Sequence, residues 1–252
     1  MFELCFVMLE DVSPPAEDLE VLESEPLPSK KERVETGIEG FDKLIEGGFK
    51  TNSSNILIGG PGSGKSIFSM QFLVEGIDKQ NENGVFISFE RTEEQIISDF
   101  SRFDWKIEEK IHKKQLVILN YTPEQIEKVL EMGGGILKDT ISSVNAKRVV
   151  IDSISAFLKL FDSSSSERHA FFILIETLYK WGGTVLFTVE RDFGNGSSSS
   201  VDFMADGIIA INNKKIDTHR ERFIEVIKMR GTKHSTKESP LQITEKGIIV
   251  YE

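Results

Sequence analysis

Cysteine is nearly absent. Cys5 is the one cysteine in 252 residues, so no internal disulfide can form. Long apolar runs are also missing: nothing approaches the roughly eighteen uninterrupted apolar residues of a membrane-spanning helix. The nearest stretch, "FFILIETLYKWGGTVLFTV" (171–189), is broken by Glu176, Lys180 and a glycine pair. It reads as a buried helix and then a buried strand. The opening "MFELCFVMLE" lacks a basic leader and a small-residue cleavage site, and so makes a poor secretory signal. Together these absences predict a cytoplasmic protein without a membrane span.

Positive charge is missing from residues 1–29. Eight acids lie there (Glu3, Glu10, Asp11, Glu17, Asp18, Glu20, Glu23 and Glu25) with no lysine or arginine. The whole chain carries −11, so residues 30–252 are left at −3. Four of the seven prolines, Pro14, Pro15, Pro26 and Pro28, fall in the same segment. This composition predicts a flexible, solvated arm over 1–29 and a nearly neutral main domain over 30–252. The alternative is an arm that docks on a neighbouring molecule through Phe2, Leu4, Phe6 and Leu9.

Beyond the arm, two patterns alternate. Apolar runs at 55–58, 85–89, 116–119, 149–151, 184–189 and 207–211 read as strands. Helical patterns occupy 65–79, 92–112, 124–144 and 166–181. Short continuous apolar strands between helices indicate an α/β fold, with a mostly parallel sheet flanked by helices. The end differs. "RFIEVIKM" alternates apolar and polar residues, and "PLQITEKGIIVYE" reads as a hairpin turning at Lys246-Gly247, which predicts a C-terminal antiparallel strand extension.

Chemistry concentrates first in "GGPGSGKS", where G-x-x-x-x-G-K-S runs from Gly59 to Ser66 between an apolar strand and a helix. In such a loop backbone N–H groups turn inward around phosphate oxygens, and the helix N-terminus adds favourable partial charge. Gly60, Pro61, Gly62, Ser63, Gly64, Lys65, Ser66 and Ile67 are therefore the candidate ATP-binding segment. Lys65 is expected to reach the β- and γ-phosphates and Ser66 to hold Mg²⁺. "KRVVIDSISAF" supplies a second metal-side group, Asp152, at the carboxyl end of a strand, where open sheets place their ligands. Hydrolysis also needs a group to activate water, and "GVFISFERTEEQ" ends a strand at Glu90. Glu93 and Glu94 are rivals, but they fit the first turn of a helix capped by Thr92.

These segments resemble the RecA superfamily and, within it, the KaiC-like ATPases. The resemblance covers about residues 33–252 and rests on "VETGIEGFDKLIEGGF", "GGPGSGKS", "GVFISFE", "RVVIDSISAF", "LFTVER" and "KMRGTKH". It implies a RecA-type core in a homo-oligomeric ring, expected to be a hexamer, with ATP bound between subunits and a further protein partner. It also implies Glu90 as the water-activating carboxylate. By position in "KMRGTKH", Lys228 and Arg230 would touch a neighbour's γ-phosphate, and His234 would lie near that nucleotide. Alternation in "EVIKMR" places Lys228 and Arg230 on one strand face and Ile227 and Met229 on the other. The chain departs from the family pattern in three places. It has one domain where the clock protein has two, Arg91 follows Glu90 where that protein has a second glutamate, and "GGFKTNSSN" lacks the usual proline and glycine.

Three functions are weighed on these residues. The first is slow Mg-dependent ATP hydrolysis with a regulatory role. The second is a nucleotide-switched assembly module with negligible turnover, like the accessory ATPase of the archaeal flagellar motor. The third, a DNA-binding recombinase, would grip single strands near "LKLFDSSSSERHA" and "RDFGNGSSSSVD". Those segments carry four acids, Asp162, Glu167, Asp192 and Asp202, against Lys159, Arg168 and Arg191, which argues against nucleic acid. Ser197–Ser200 resemble a phosphoacceptor region of KaiC, although such composition by itself predicts a polar loop.

Overall fold

The computed structural model describes residues 33–192, 199 and 201–251. The expected arm and most of the second serine run, Ser197, Ser198 and Ser200, lie outside the described residues. In chain order the elements are β1 (Arg33–Val34), α1 (Phe41–Leu44), β2 (Phe49–Lys50), β3 (Ser54–Gly59), α2 (Lys65–Gln80) and β4 (Gly84–Ser88). Then come α3 (Glu93–Phe100), α4 (Ile107–His112), β5 (Leu116–Asn120), α5 (Pro123–Glu131), α6 (Gly135–Ser143) and β6 (Arg148–Asp152). Last are α7 (Ser155–Leu158), α8 (Ser164–Tyr179), β7 (Thr184–Glu190), β8 (Gly207–Ile216), β9 (His219–Met229), β10 (Ser239–Thr244) and β11 (Gly247–Val250).

The main sheet has nine strands in the order β11-β10-β9-β8-β3-β7-β6-β4-β5. Strands β8, β3, β7, β6, β4 and β5 run parallel, and β9, β10 and β11 continue the sheet antiparallel. Every residue of β3, β4 and β6 is buried, because both faces are covered. Side chains alternate between two apolar layers. Leu57, Phe86, Val150 and Leu186 meet α2, α3 and α4, whereas Ile56, Ile58, Val85, Val149 and Ile151 meet α5, α6, α7 and α8. The parallel, helix-flanked sheet and its antiparallel extension are as the sequence predicts; the expected strands fall at their predicted places, except that β8 runs five residues past its expected end at 211.

Several local expectations change. The helical stretch 92–112 is two helices, separated where Phe103 and Trp105 turn inward and stack at 4.2 Å, with Lys106 left-handed at φ 48°. The stretch 124–144 is also two helices, because Gly133 and Gly134 adopt φ 80° and 74°. In the first serine run, Ser163 caps α8, its side chain accepting from the Ser166 N–H at 3.2 Å. The last hairpin turns at Glu245-Lys246 rather than Lys246-Gly247, and Gly247 opens β11 opposite Thr244. Within β9 a bulge shifts the register, so that Ile208 faces Lys228 and Ile209 faces Val226. Ile227 therefore packs in the layer opposite Met229, which corrects the expectation that the two share a face.

Candidate functional site

The site forms where β3, β7, β6 and β4 end side by side. At the end of β3, Gly59 has no room for a Cβ, which would lie 2.5 Å from Ser63 Oγ and 2.7 Å from the Ile211 carbonyl oxygen. Gly62 and Gly64 take φ 70° and 110°, and this left-handed backbone turns the loop back onto the N-terminus of α2. A cavity of about 260 Å³ opens there, lined by Gly62, Ser63, Gly64, Lys65, Ser66 and Ile67 together with Arg102, Arg222 and Ile243. A larger hollow of about 550 Å³ lies among α5, α7 and α8. Glu127 and Glu131 line it, and no lysine or arginine does, so it does not suit phosphate.

Lys65 is buried, and its ammonium donates to the carbonyl oxygens of Gly59 at 2.7 Å and Gly60 at 3.0 Å. Burial pushes its pKa below the ordinary lysine value, and the carboxylates of Glu190, Asp152 and Asp192 oppose that shift. Asp152, 5% exposed at the end of β6, has both oxygens engaged. Thr188 of β7 donates to Oδ1, and Arg91 Nη2 donates to Oδ2 at 2.8 Å. The same Nη2 lies 3.1 Å from Ser66 Oγ. The Ser66 hydroxyl and the Asp152 carboxylate thus converge on one point that already receives positive charge. A hydroxyl and a carboxylate beside phosphates are the oxygen donors that Mg²⁺ takes, and these residues fit it. Among the described residues no group of three or more His, Cys, Asp or Glu side chains could hold a metal unaided. Glu90, two residues beyond β4, is exposed. Glu93 and Glu94 open α3 behind a Thr92–Gln95 capping box, as the sequence predicts.

"KMRGTKH" is placed elsewhere. The Lys228 ammonium donates to the carbonyl oxygens of Ala205 at 2.7 Å and Phe203 at 3.2 Å, and burial together with the Arg230 charge lowers its pKa. Arg230 donates to the Phe203 carbonyl oxygen at 2.7 Å and remains 53% exposed. Both side chains reach the turn before β8 and so share a side, as expected. His234 Nδ1 lies 2.9 Å from the Ser235 carbonyl oxygen. Gly207, which begins β8, pairs with Met229 on one side and Asn55 on the other. Lys228 and Arg230 therefore sit at the end of the sheet away from the phosphate loop of their own chain. Gly59 is four residues further along β3 than Asn55, about 13 Å at the rise of an extended strand.

A family model described as "ATPase: KaiC" matches residues 34–252. The chain belongs to the KaiC family of ATPases. It is 34% identical over 229 residues to the circadian clock oscillator protein KaiC of Synechococcus elongatus, covering 87% of this chain and 44% of that one. It is 33% identical over 230 residues to the circadian clock protein KaiC3 of a Synechocystis species, covering 87% and 45%. The chain thus spans less than half the length of these relatives. The crystal structure of a KaiC-like protein from the hyperthermophilic archaeon Pyrococcus horikoshii superposes with a TM-score of 0.79 at 31% identity. That match covers 88% of this chain and all of the other.

Three residues at this KaiC-family site escaped the sequence reading. Arg222 of β9 donates through Nε and Nη2 to the Gly62 carbonyl oxygen, both at 3.2 Å, and Arg102 lines the same cavity. Each is brought there from far along the chain. Thr188 carried a usable signal, being an inward residue of "LFTVER" on the strand beside β6. Among the described residues no helix is long and apolar enough to cross a membrane.

Proposed function

We propose that this KaiC-family domain binds Mg-ATP at sites shared between adjacent subunits of a ring and hydrolyses it slowly. The observation that carries the reading is the pair of half-sites at opposite ends of one sheet. The phosphate loop, Ser66 and Asp152 lie at one end, and Lys228 and Arg230 at the other. Cations so far from their own loop can complete a phosphate site only in a second copy. Head-to-tail packing of this kind closes into a ring when the rotation permits.

Each residue then has a role. The loop N–H groups from Gly60 to Ile67 and the Lys65 ammonium bind the phosphates. Ser66 and Asp152 would hold Mg²⁺, which would supply charge neutralisation to the phosphates. Glu90 orients water and accepts its proton. Lys228 and Arg230 of the neighbouring copy meet the charge that develops on the transferring phosphoryl group, and His234 lies beside the nucleotide.

The test is ATPase activity per subunit as protein concentration rises from nanomolar to micromolar, with assembly followed by sedimentation. Activity should climb with assembly and then level off. Arg230→Ala should keep ATP binding while losing turnover by about a thousandfold, the usual worth of an arginine finger. Turnover by dispersed monomers would sink the shared-site reading. A second reading, an ATP-switched assembly module with negligible turnover, is favoured by the Arg91 guanidinium between Ser66 and Asp152. Comparing assembly in ATP and in ADP, beside turnover, separates the two.

A further inference from the structure

Arg91 is placed unlike an ordinary surface arginine. Nη2 bridges the Ser66 hydroxyl at 3.1 Å and the Asp152 carboxylate at 2.8 Å, while Nη1 pairs with Asp99 at 3.0 Å. The two arms of one guanidinium therefore contact an acid that is 5% exposed and an acid that is 51% exposed. The backbone at Arg91 is pinned on both sides. Its N–H donates to Ser88 Oγ at 3.0 Å, and its carbonyl accepts from Asn120 Nδ2 at 2.8 Å. What is left to move is the side chain, and Asp99, in the second turn of α3, holds a contact for it on the solvent side.

We propose that Arg91 is a resident cation that competes with Mg²⁺ for Ser66 and Asp152, and so sets the metal demand of the nucleotide site. The inference rests on the ATP-binding reading given above. Mg²⁺ requires oxygen atoms at about 2.0–2.1 Å in a nearly ideal octahedron, and it cannot take the Ser66 oxygen while a guanidinium nitrogen stays against it. Binding of the metal is therefore an exchange. The inner arm of Arg91 leaves Ser66 and Asp152, and the outer arm keeps its charge paired on Asp99. Without metal, the same guanidinium neutralises Asp152 next to the phosphates, so nucleotide binding tolerates chelation. The exchange has two oppositely directed consequences. Removing the Arg91 charge should make the site bind metal more tightly while making nucleotide binding depend on it. Removing Asp99 should hold Arg91 inward and weaken metal binding.

The experiment uses the full chain and a fluorescent, hydrolysis-resistant ATP analogue. Its affinity is measured by anisotropy in EDTA and then across a Mg²⁺ titration. Arg91→Gln should lower the Mg²⁺ midpoint about tenfold and weaken binding in EDTA by a similar factor, the scale of one charge-assisted hydrogen bond. Asp99→Asn, on an exposed helix face, should raise the Mg²⁺ midpoint. Arg91→Lys, which keeps the charge but loses the fork, should restore binding in EDTA in part. A merely structural Arg91 would not move the two midpoints in opposite directions. Unchanged midpoints in Arg91→Gln and Asp99→Asn, with the analogue still bound, would overturn the inference and leave the ATP site standing. No binding by the unsubstituted protein in either condition would overturn both.

Discussion

Lys65 shows how this site trades stability for binding. An ammonium buried against two carbonyl oxygens loses hydration that those contacts only partly replace, and its lowered pKa reports that cost. The carbonyls do not depend on it. Gly59 also accepts from the Arg191 N–H at 3.3 Å, and Gly60 accepts from the Ser63 N–H at 3.3 Å. Lys65→Met should therefore melt at or above the parent temperature without nucleotide at neutral pH. The advantage should shrink as pH rises towards 10.5. The unfolded lysine binds its proton more tightly than the folded one, so the parent protein gains stability over that window. With ATP added at a hundred times its Kd, the parent should gain about 2.7 kcal/mol and the variant nothing. Thermal melts with and without ATP at two pH values check all three statements.

At the scale of elements, the sheet is held in register by polar ties where β3 and β8 begin as well as by its apolar layers. The Tyr179 hydroxyl at the end of α8 donates to Asp206 Oδ2 at 2.5 Å and lies 3.0 Å from Ser54 Oγ, joining α8 to the starts of β3 and β8. Burial and the Asp206 carboxylate push the Tyr179 phenol up to about 12 from an ordinary 10.0. The folded protein thus retains a proton that the unfolded chain releases, and stability must fall as pH rises through that interval. Tyr179→Phe should start less stable, having lost the hydrogen bond, and should show a shallower decline between about pH 10 and 12 in chemical denaturation. Elements of this kind were largely legible in the sequence. The parallel strands are continuous apolar runs with no competing period, and the phosphate loop has a fixed spacing between a strand and a helix. The break at Gly133-Gly134 was written there too, in two residues that accept positive φ. The β9 bulge and the left-handed Lys106 were not, because long-range packing imposes both on residues of no special propensity. The Arg91 contacts were invisible for the same reason: Ser66 and Asp152 stand 25 and 61 residues away.

For the whole molecule, the proposed sharing of half-sites between subunits makes a quantitative demand. A subunit with Lys65→Ala has lost its phosphate loop but keeps Lys228 and Arg230 for a neighbour. A subunit with Arg230→Ala has the reverse. Each variant alone should be inactive, since every interface in a pure ring lacks one half. In rings assembled from an equal mixture, an interface is intact when a competent loop happens to face a competent Arg230. Random order along a head-to-tail ring makes about one interface in four intact, so activity per subunit should recover to about a quarter of the parent value. Varying the mixing ratio should trace a parabola with its maximum at equal amounts, because the chance of the productive order is the product of the two fractions. Sites completed within one chain would give no recovery at any ratio, and the sheet geometry, with Gly59 and Met229 at opposite ends, would then need another explanation.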